Sequence, residues 1–536
     1  MSVSDRSSLA LRENAFGSSA ARAGVNPWII ALTVTLATFM EVLDTSVANV
    51  ALPHIAGSLS ASQDESTWVL TSYLVSNAIV LPISGWVSSV MGRKRFYMSC
   101  VALFTISSFL CGLAPSLSAL IFFRVLQGAG GGGLQPSEQA ILADTFPSRQ
   151  RGMAFAVYGM AVVLAPAIGP TLGGWITDNF DWRWIFFINI PVGILSLFLT
   201  NLLISDPEYL ERQRPRSLRV DYIGLSLLAL GLGSLQVVLD KGQRDDWFGS
   251  HFIVGMSILC VSTLTAAIFW EWFSKDPIID LHLFKERSFA VGNLLIFMVG
   301  FALLSSTVLL PQFQQELLGY TAEKAGLTLM PGGFALLLVM PLVGFLLSKY
   351  DARRLLIFGL VVLSFSLFRM TRFDTLIDFR TAASARVVQT LGLAFLFIPI
   401  NTIAYAFLPP GKNNAASGLI NLFRNIGGSV GISLVTTVLA RRAQFHQSVL
   451  SAQIYDGYGP FRNTLASLTR TFITHGSSPY EASRQAYAVV AGQIDQQATM
   501  LAYIDNFWLM GILVAAMIPF VFLMKKVKPG GTIAVH

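Results

Sequence analysis

Long apolar stretches alternate with short polar ones along the chain. The apolar blocks span about residues 28–52, 67–90, 96–114, 117–143, 152–176, 184–204, 221–240, 252–273, 289–311, 324–347, 354–370, 383–407, 415–440 and 502–524. Each lies close to the roughly twenty residues that a helix needs to cross a ~30 Å hydrocarbon core. Lipid offers no partner for a bare backbone group, so blocks of this length predict helices. The pattern predicts an all-α membrane protein with fourteen transmembrane helices. The longest polar interval, residues 442–501, is expected to lie outside the membrane, with Tyr480 to Ile504 forming a helix that leads into the last span.

Composition agrees with this reading. Of 536 residues, 53% are hydrophobic and 12% charged, which excludes an ordinary soluble enzyme. The net charge of +7 would suggest nucleic acid in a soluble protein, but here Lys and Arg sit mainly between the apolar blocks. With the N-terminus inside, one set of loops and both tails holds 22 of them and the opposite loops eleven, so both termini are expected in the cytoplasm. An even number of spans follows, because thirteen would place Lys525, Lys526 and Lys528 outside. Residues 1–27 lack a signal-peptide core and read as a disordered cytoplasmic tail. Cys100, Cys111 and Cys260 all lie in apolar blocks, where no disulfide framework or metal cluster is expected.

Two internal matches suggest a duplicated six-helix unit. Arg124-Val-Leu-Gln127-Gly-Ala-Gly130 recurs as Arg386-Val-Val-Gln389-Thr-Leu-Gly392, 262 residues later. The stretch Gly85 to Ser89 followed by Lys94-Arg95 recurs as Gly344 to Ser348 followed by Arg353-Arg354, 259 residues later. The expected organisation is 6+2+6: a bundle over 28–204, two inserted helices with their loops over 205–287, and a second bundle over 288–524, with a tail at 525–536.

Candidate chemistry concentrates in the first span. Glu41 and Asp44 are three residues apart on one helical face, with Thr38, Thr45 and Asn49 nearby. Carboxylates deep in lipid are costly and usually mark ion or proton pathways. Asp44 lies eight residues before Leu52 and Arg124 seven after Leu117, so both sit roughly 10–12 Å below the outer surface. An ion pair at that depth could load and release a proton as access changes, or could be a fixed bridge between helices. Span five carries Pro166, Gly169, Pro170, Gly173 and Gly174, which suit close packing or a bend at a moving interface. Gly128 to Gly133 and Gly427 to Gly431 match dinucleotide and nucleophile-elbow patterns, but within apolar helices they read as packing.

Together the motifs resemble the major facilitator superfamily, specifically its fourteen-helix drug:proton antiporters and the EmrB-type multidrug exporters. Gly85-Trp-Val-Ser-Ser89-Val-Met-Gly92-Arg93-Lys94-Arg95 resembles the loop motif between spans two and three, with Ser89 where an acid is usual. Arg124 to Gly130 resembles the span-four motif, and Gly169-Pro170 to Gly174 the antiporter motif. Leu43 to Pro53, Trp182 to Pro191 and Gly233 to Asp240 are similar to signatures of the fourteen-helix branch. The resemblance implies export of amphipathic drugs against proton entry, by alternating access, from a bacterial inner membrane. No cofactor or metal is expected beyond the proton gradient, and neither catalysis nor nucleic-acid binding. A periplasmic adaptor and an outer-membrane channel are the implied partners. Asp44 is the leading proton-site residue, with Glu41 beside it and Arg124 as modulator. Thr45, Asn49, Gln127, Gly169, Pro170, Gly173 and Gly174 are assigned to the cavity and its conformational change, and Gly85, Gly92, Arg93 and Lys94 to the cytoplasmic loop. A narrower carrier of fatty acids, siderophores or amino acids is the alternative reading.

Overall fold

The computed structural model describes residues 25–206, 221–274, 277–408, 412–452 and 459–526. The N-terminal tail, the basic cluster Arg212 to Arg219 and Lys528 fall outside them. The chain runs through α1 (Pro27–Ser58), α2 (Trp68–Met91), α3 (Arg93–Gly112), α4 (Leu117–Gly131), α5 (Leu134–Thr145), α6 (Ser148–Asn179), α7 (Asn189–Leu203), α8 (Tyr222–Lys241) and α9 (His251–Phe273). It continues through α10 (Arg287–Leu318), α11 (Ala322–Leu347), α12 (Ala352–Met370), α13 (Phe379–Ala406), α14 (Asn413–Ala452), α15 (Gly459–Thr474) and α16 (Pro479–Ala515).

The ends of these helices follow local chemistry. Asn26 caps α1 by accepting from the Trp28 N–H at 3.0 Å, with Pro27 in the first turn, where its missing N–H costs nothing. Ser116, Asp221 and Asp378 cap α4, α8 and α13 in the same way. Gly92, at φ 90°, makes the one-residue break between α2 and α3, a conformation that L side chains rarely adopt. In the loop before α2, Glu65 accepts from the N–H and hydroxyl of Ser62, and these bonds hold its carboxyl below the usual value.

Among the described residues, twelve helical segments are long and apolar enough to cross a membrane, with α4 and α5 forming one span. A thirteenth is α6, bent by 42° around Pro166, which lacks the N–H that a straight helix would use there. The remaining expected span, α12, is a 19-residue helix packed on α13 and α16. Arg353, Arg354 and Arg369 near its ends make it more polar than the other spans, so the count of fourteen rests on this helix.

The helices of residues 27–203 pack mainly on one another, and so do those of 287–521. The two groups meet along two lines, α6 against α11 and α2 against α14. The pair α8–α9 lies over the second line, with α8 touching both α2 and α14. Gln236 accepts from the Ser429 hydroxyl at 3.0 Å, while Asp240 accepts from Thr71 and Lys241 donates to Thr67. Only 22% of the most apolar stretch of α9 is buried, as expected for a helix at the lipid-facing periphery.

Most of the described residues of 442–501 are helical. At 40 and 37 residues, α14 and α16 are each about 55–60 Å long, nearly twice the hydrocarbon thickness. Good helix formers such as Ala, Arg and Gln carry α14 past its apolar block. The excess projects on the face opposite residues 25 and 526, where Arg442 and His446 of α14 hold Asp505 of α16 at 2.5 and 2.8 Å. The helix expected over Tyr480 to Ile504 is the first part of α16. No residue of α15 is buried, and its Phe461 meets Tyr487 of α16 at 6.2 Å.

Candidate functional site

The first cluster lies wholly within the helices of residues 27–203. Asp44 and Arg124 form an ion pair at 2.6 Å, with side chains 1% and 0% exposed. The second Asp44 oxygen accepts from the Gln127 amide at 2.9 Å and the Asn189 amide at 2.8 Å. The guanidinium also donates to the Val69 carbonyl at 3.0 Å and to Gln127 Oε1 at 2.9 Å, and stacks over the Tyr73 ring at 4.3 Å. One α turn separates Arg124 from Gln127, so both reach the same carboxylate. The pair expected from matching depth is present, and every Asp44 oxygen is occupied.

The second cluster spans both helical groups. Glu41 accepts from Gln135 at 2.5 Å, Tyr73 at 3.1 Å and Asn77 at 3.2 Å, all neutral donors. Gln135 Oε1 accepts in turn from Tyr158 at 3.1 Å and from Arg424 of α14, which also donates to the Tyr158 hydroxyl at 2.7 Å. Further along, Asn421 exchanges hydrogen bonds with Gln139, and Tyr405 donates to Gln139 at 3.2 Å. Glu138, completely buried, accepts from Thr35 at 2.5 Å and keeps one oxygen without a donor among the described residues. A proton added to Glu41 displaces no ion pair; one added to Asp44 breaks its bond to Arg124.

The loop motif makes a third contact at the face that carries the termini. Arg93 pairs with Asp144 of α5 and donates to the Ala140 carbonyl at 3.0 Å. Asp144 also accepts from Asn413 of α14 at 2.9 Å, so this clip joins the two groups. Lys94 donates to the Asn201 carbonyl and, through its backbone N–H, to Asp206, both at 2.7 Å. Ser89 turns back to the Trp86 carbonyl, while Gly85 is buried within α2.

The glycines of span five differ in how closely they pack. A Cβ on Gly169 would lie 2.3 Å from Ser46 Oγ, and one on Gly173 would lie 3.1 Å from Val47. Gly174 has nothing within 4 Å, and Pro170 lies near Gly326 of α11. Replacing Gly169 with valine is therefore expected to cost about 1–3 kcal/mol by overpacking, whereas Gly174→Ala leaves the fold intact. Thermal unfolding of the purified protein distinguishes them. Thr45 bonds back to the Val42 carbonyl at 2.8 Å, and Asn49 is exposed; neither joins the Asp44 cluster.

Several members of these clusters were not singled out from sequence. Asn189 sits inside the Trp182–Pro191 signature, whose role was not visible until α7 met α1. Glu138 is a lone acid within span four, and intramembrane acids are costly enough to have marked it. Gln135, Tyr158 and Asn421 carry no such signal, since neutral polar residues are common in transmembrane helices.

Comparison with known proteins fits this arrangement. The sequence pattern of the Major Facilitator Superfamily matches residues 34–432. The chain is 37% identical over 482 residues to the multidrug export protein EmrB of Escherichia coli K12, covering 90% of this chain and 92% of that one. It is 39% identical to EmrB of Haemophilus influenzae over the same shares, and 37% identical to the fatty acid resistance protein FarB of Neisseria gonorrhoeae, covering 92% and 96%. Among solved structures, the proton:xylose symporter XylE matches with TM-score 0.58 at 15% identity, covering 92% and 96%. The human organic anion transporter MFSD10 matches with TM-score 0.57 at 13% identity, covering 91% and 100%. At those identities the likeness concerns the fold. With the family pattern running through both helical groups and close relatives aligned nearly end to end, the chain belongs to the major facilitator superfamily: it is an all-α membrane transporter and not an enzyme.

Proposed function

We propose that this transporter is a proton-coupled multidrug exporter of the bacterial inner membrane, expelling amphipathic compounds by alternating access of two six-helix bundles, 28–204 and 288–524. The observation that carries export is the 37–39% identity, over about nine-tenths of both chains, to proteins named for multidrug export. Proton coupling is supported by Glu41, a buried carboxylate held by neutral donors on the line where the bundles meet. The hydrogen bonds that join the bundles, from Asn77–Asn425 to Asp144–Asn413, favour a state closed on the face of the termini. The charge bias supports that face being the cytoplasmic one.

Asp44 and Glu41 then divide the work. Asp44, Arg124, Gln127 and Asn189 fix α1, α4 and α7 together, while Glu41 exchanges a proton as the bundles part. A proton gradient supplies about 2.3 kcal/mol per charge per 100 mV and about 1.4 kcal/mol per pH unit. In everted vesicles, Glu41→Gln is expected to reduce drug-induced proton release at least about ten-fold while drug binding changes by less than about three-fold. Release that survives in Glu41→Gln would remove Glu41 from the coupling step.

The likeness to FarB supports a second reading, a carrier whose main substrates are fatty acids. Vesicles that respond to laurate and to no cationic drug would favour it. The projecting ends of α14 and α16 support contact with a periplasmic adaptor, and through it an outer-membrane channel.

A further inference from the structure

The two halves of the molecule treat the same arginine differently. Arg386 lies seven residues into α13, as Arg124 lies seven into α4, so both sit about 10 Å from the helix start. Gln389 follows Arg386 at the spacing of Gln127 from Arg124, and bonds it at 2.8 Å. The offset of 262 residues that relates these pairs carries Asp44 onto Ser306 of α10. The geometry obeys that correspondence: Arg386 donates to the Ser306 hydroxyl at 2.8 Å where Arg124 donates to Asp44. Thr307 accepts from the same guanidinium at 3.1 Å.

The charge of Arg386 is not matched. It is 2% exposed and makes no ion pair among the described residues. Its Nε and the side-chain amide of Gln389 both lack an acceptor there. Between residues 288 and 452 the acids are Glu316, Glu323, Asp351, Asp374 and Asp378. Glu316 and Glu323 occupy the ends of α10 and α11, and the other three lie outside the helices. Ser306 and Thr307 each donate back to the Leu303 carbonyl, so they offer Arg386 only neutral oxygens. A buried guanidinium with neutral partners and two orphaned donors nearby is a receptor for negative charge. Gly332 lets α11 pack closely on the stem of this arginine: a Cβ there would lie 3.0 Å from Arg386 Cγ.

We propose that Arg386, Gln389, Ser306 and Thr307 form an anion site inside the second bundle, taking a monovalent anion in the place that the Asp44 carboxylate fills in the first. The anion is either the carboxylate of an amphiphile or a small inorganic ion, and both would use the same donors. This site goes beyond the proposed export function and does not depend on the coupling role of Glu41.

The test uses the full-length protein in lipid nanodiscs, with radiolabelled chloride and radiolabelled laurate as probes. Wild type is expected to bind at least one of them, with Arg386→Gln and Ser306→Asp each weakening that binding ten-fold or more. Binding of laurate alone identifies an amphiphile carboxylate; binding of chloride alone identifies an inorganic ion. Ser306→Asp supplies the missing carboxylate from within, so in chloride-free buffer it should unfold at a higher temperature than wild type, and the bound anion should close that gap. Wild-type binding no greater than that of Arg386→Gln, or unaltered binding in Ser306→Asp, would overturn the proposal.

Discussion

Replacing Arg124 with leucine is expected to cost about 3–5 kcal/mol and to abolish drug resistance, because it strands the Asp44 carboxylate in the core with only two amide donors. Membrane abundance and thermal unfolding should fall together. The double replacement Asp44→Asn with Arg124→Gln removes both charges while keeping the shapes. It is expected to recover stability to within about 1–2 kcal/mol of wild type, since neutral isosteres of a buried pair avoid its desolvation cost. Function then separates the two roles left open by the sequence. A stable double variant that still exports drugs would make the pair a helix staple and leave Glu41 as the proton carrier. One that is stable and inactive would put Asp44 back in the coupling path.

The second large effect is expected at Arg424. Its guanidinium reaches across the line between the bundles to Gln135 and Tyr158 and so sits two bonds from Glu41. Hydrogen bonds that involve a charged group contribute about 1.5–3 kcal/mol each. Arg424→Leu removes both from the closed side, and it should shift the balance toward opening on the face of residues 25 and 526 by a factor of about a hundred or more. Distances between spin labels placed on that face of α5 and α14 would lengthen. An unchanged distribution would mean that the Asn421–Gln139 and Asp144–Asn413 contacts suffice to hold the seam. Arg424 reaches Glu41 through Gln135, so under the proposed role of Glu41 its protonation would loosen the grip on Gln135, the residue that Arg424 holds, and would link proton uptake to parting of the bundles.

Much of this was legible before any coordinates, and for a physical reason. Crossing lipid forces backbone hydrogen bonds inward, so the length of each apolar block nearly determines its element. The depths of Asp44 and Arg124 could be read by counting residues along helices, which made their pairing possible; the structure places them together at 2.6 Å. What could not be read was which neutral side chains complete each cluster. Asn189, Gln135 and Tyr158 reach their partners only because α7 lies against α1 and because α5 and α6 face α14. Of the polar stretch 442–501, only the helix over Tyr480 to Ile504 was anticipated, because outside lipid a polar helix satisfies its backbone as well as an apolar one and leaves no apolar block to mark it. Asn49 follows Asp44 by five residues, which turns it most of the way to the other side of the helix and away from the Asp44 cluster.

The long helices α14 and α16 form a lever. They are continuous with helices of the second bundle and extend roughly 25–30 Å beyond the hydrocarbon. A rocking of that bundle by about 10°, of the kind that opens and closes a cavity, would sweep their tips sideways by about 5 Å. The stroke would be delivered on the far side of the membrane, where anything grasping those tips would feel each turn of the transport cycle.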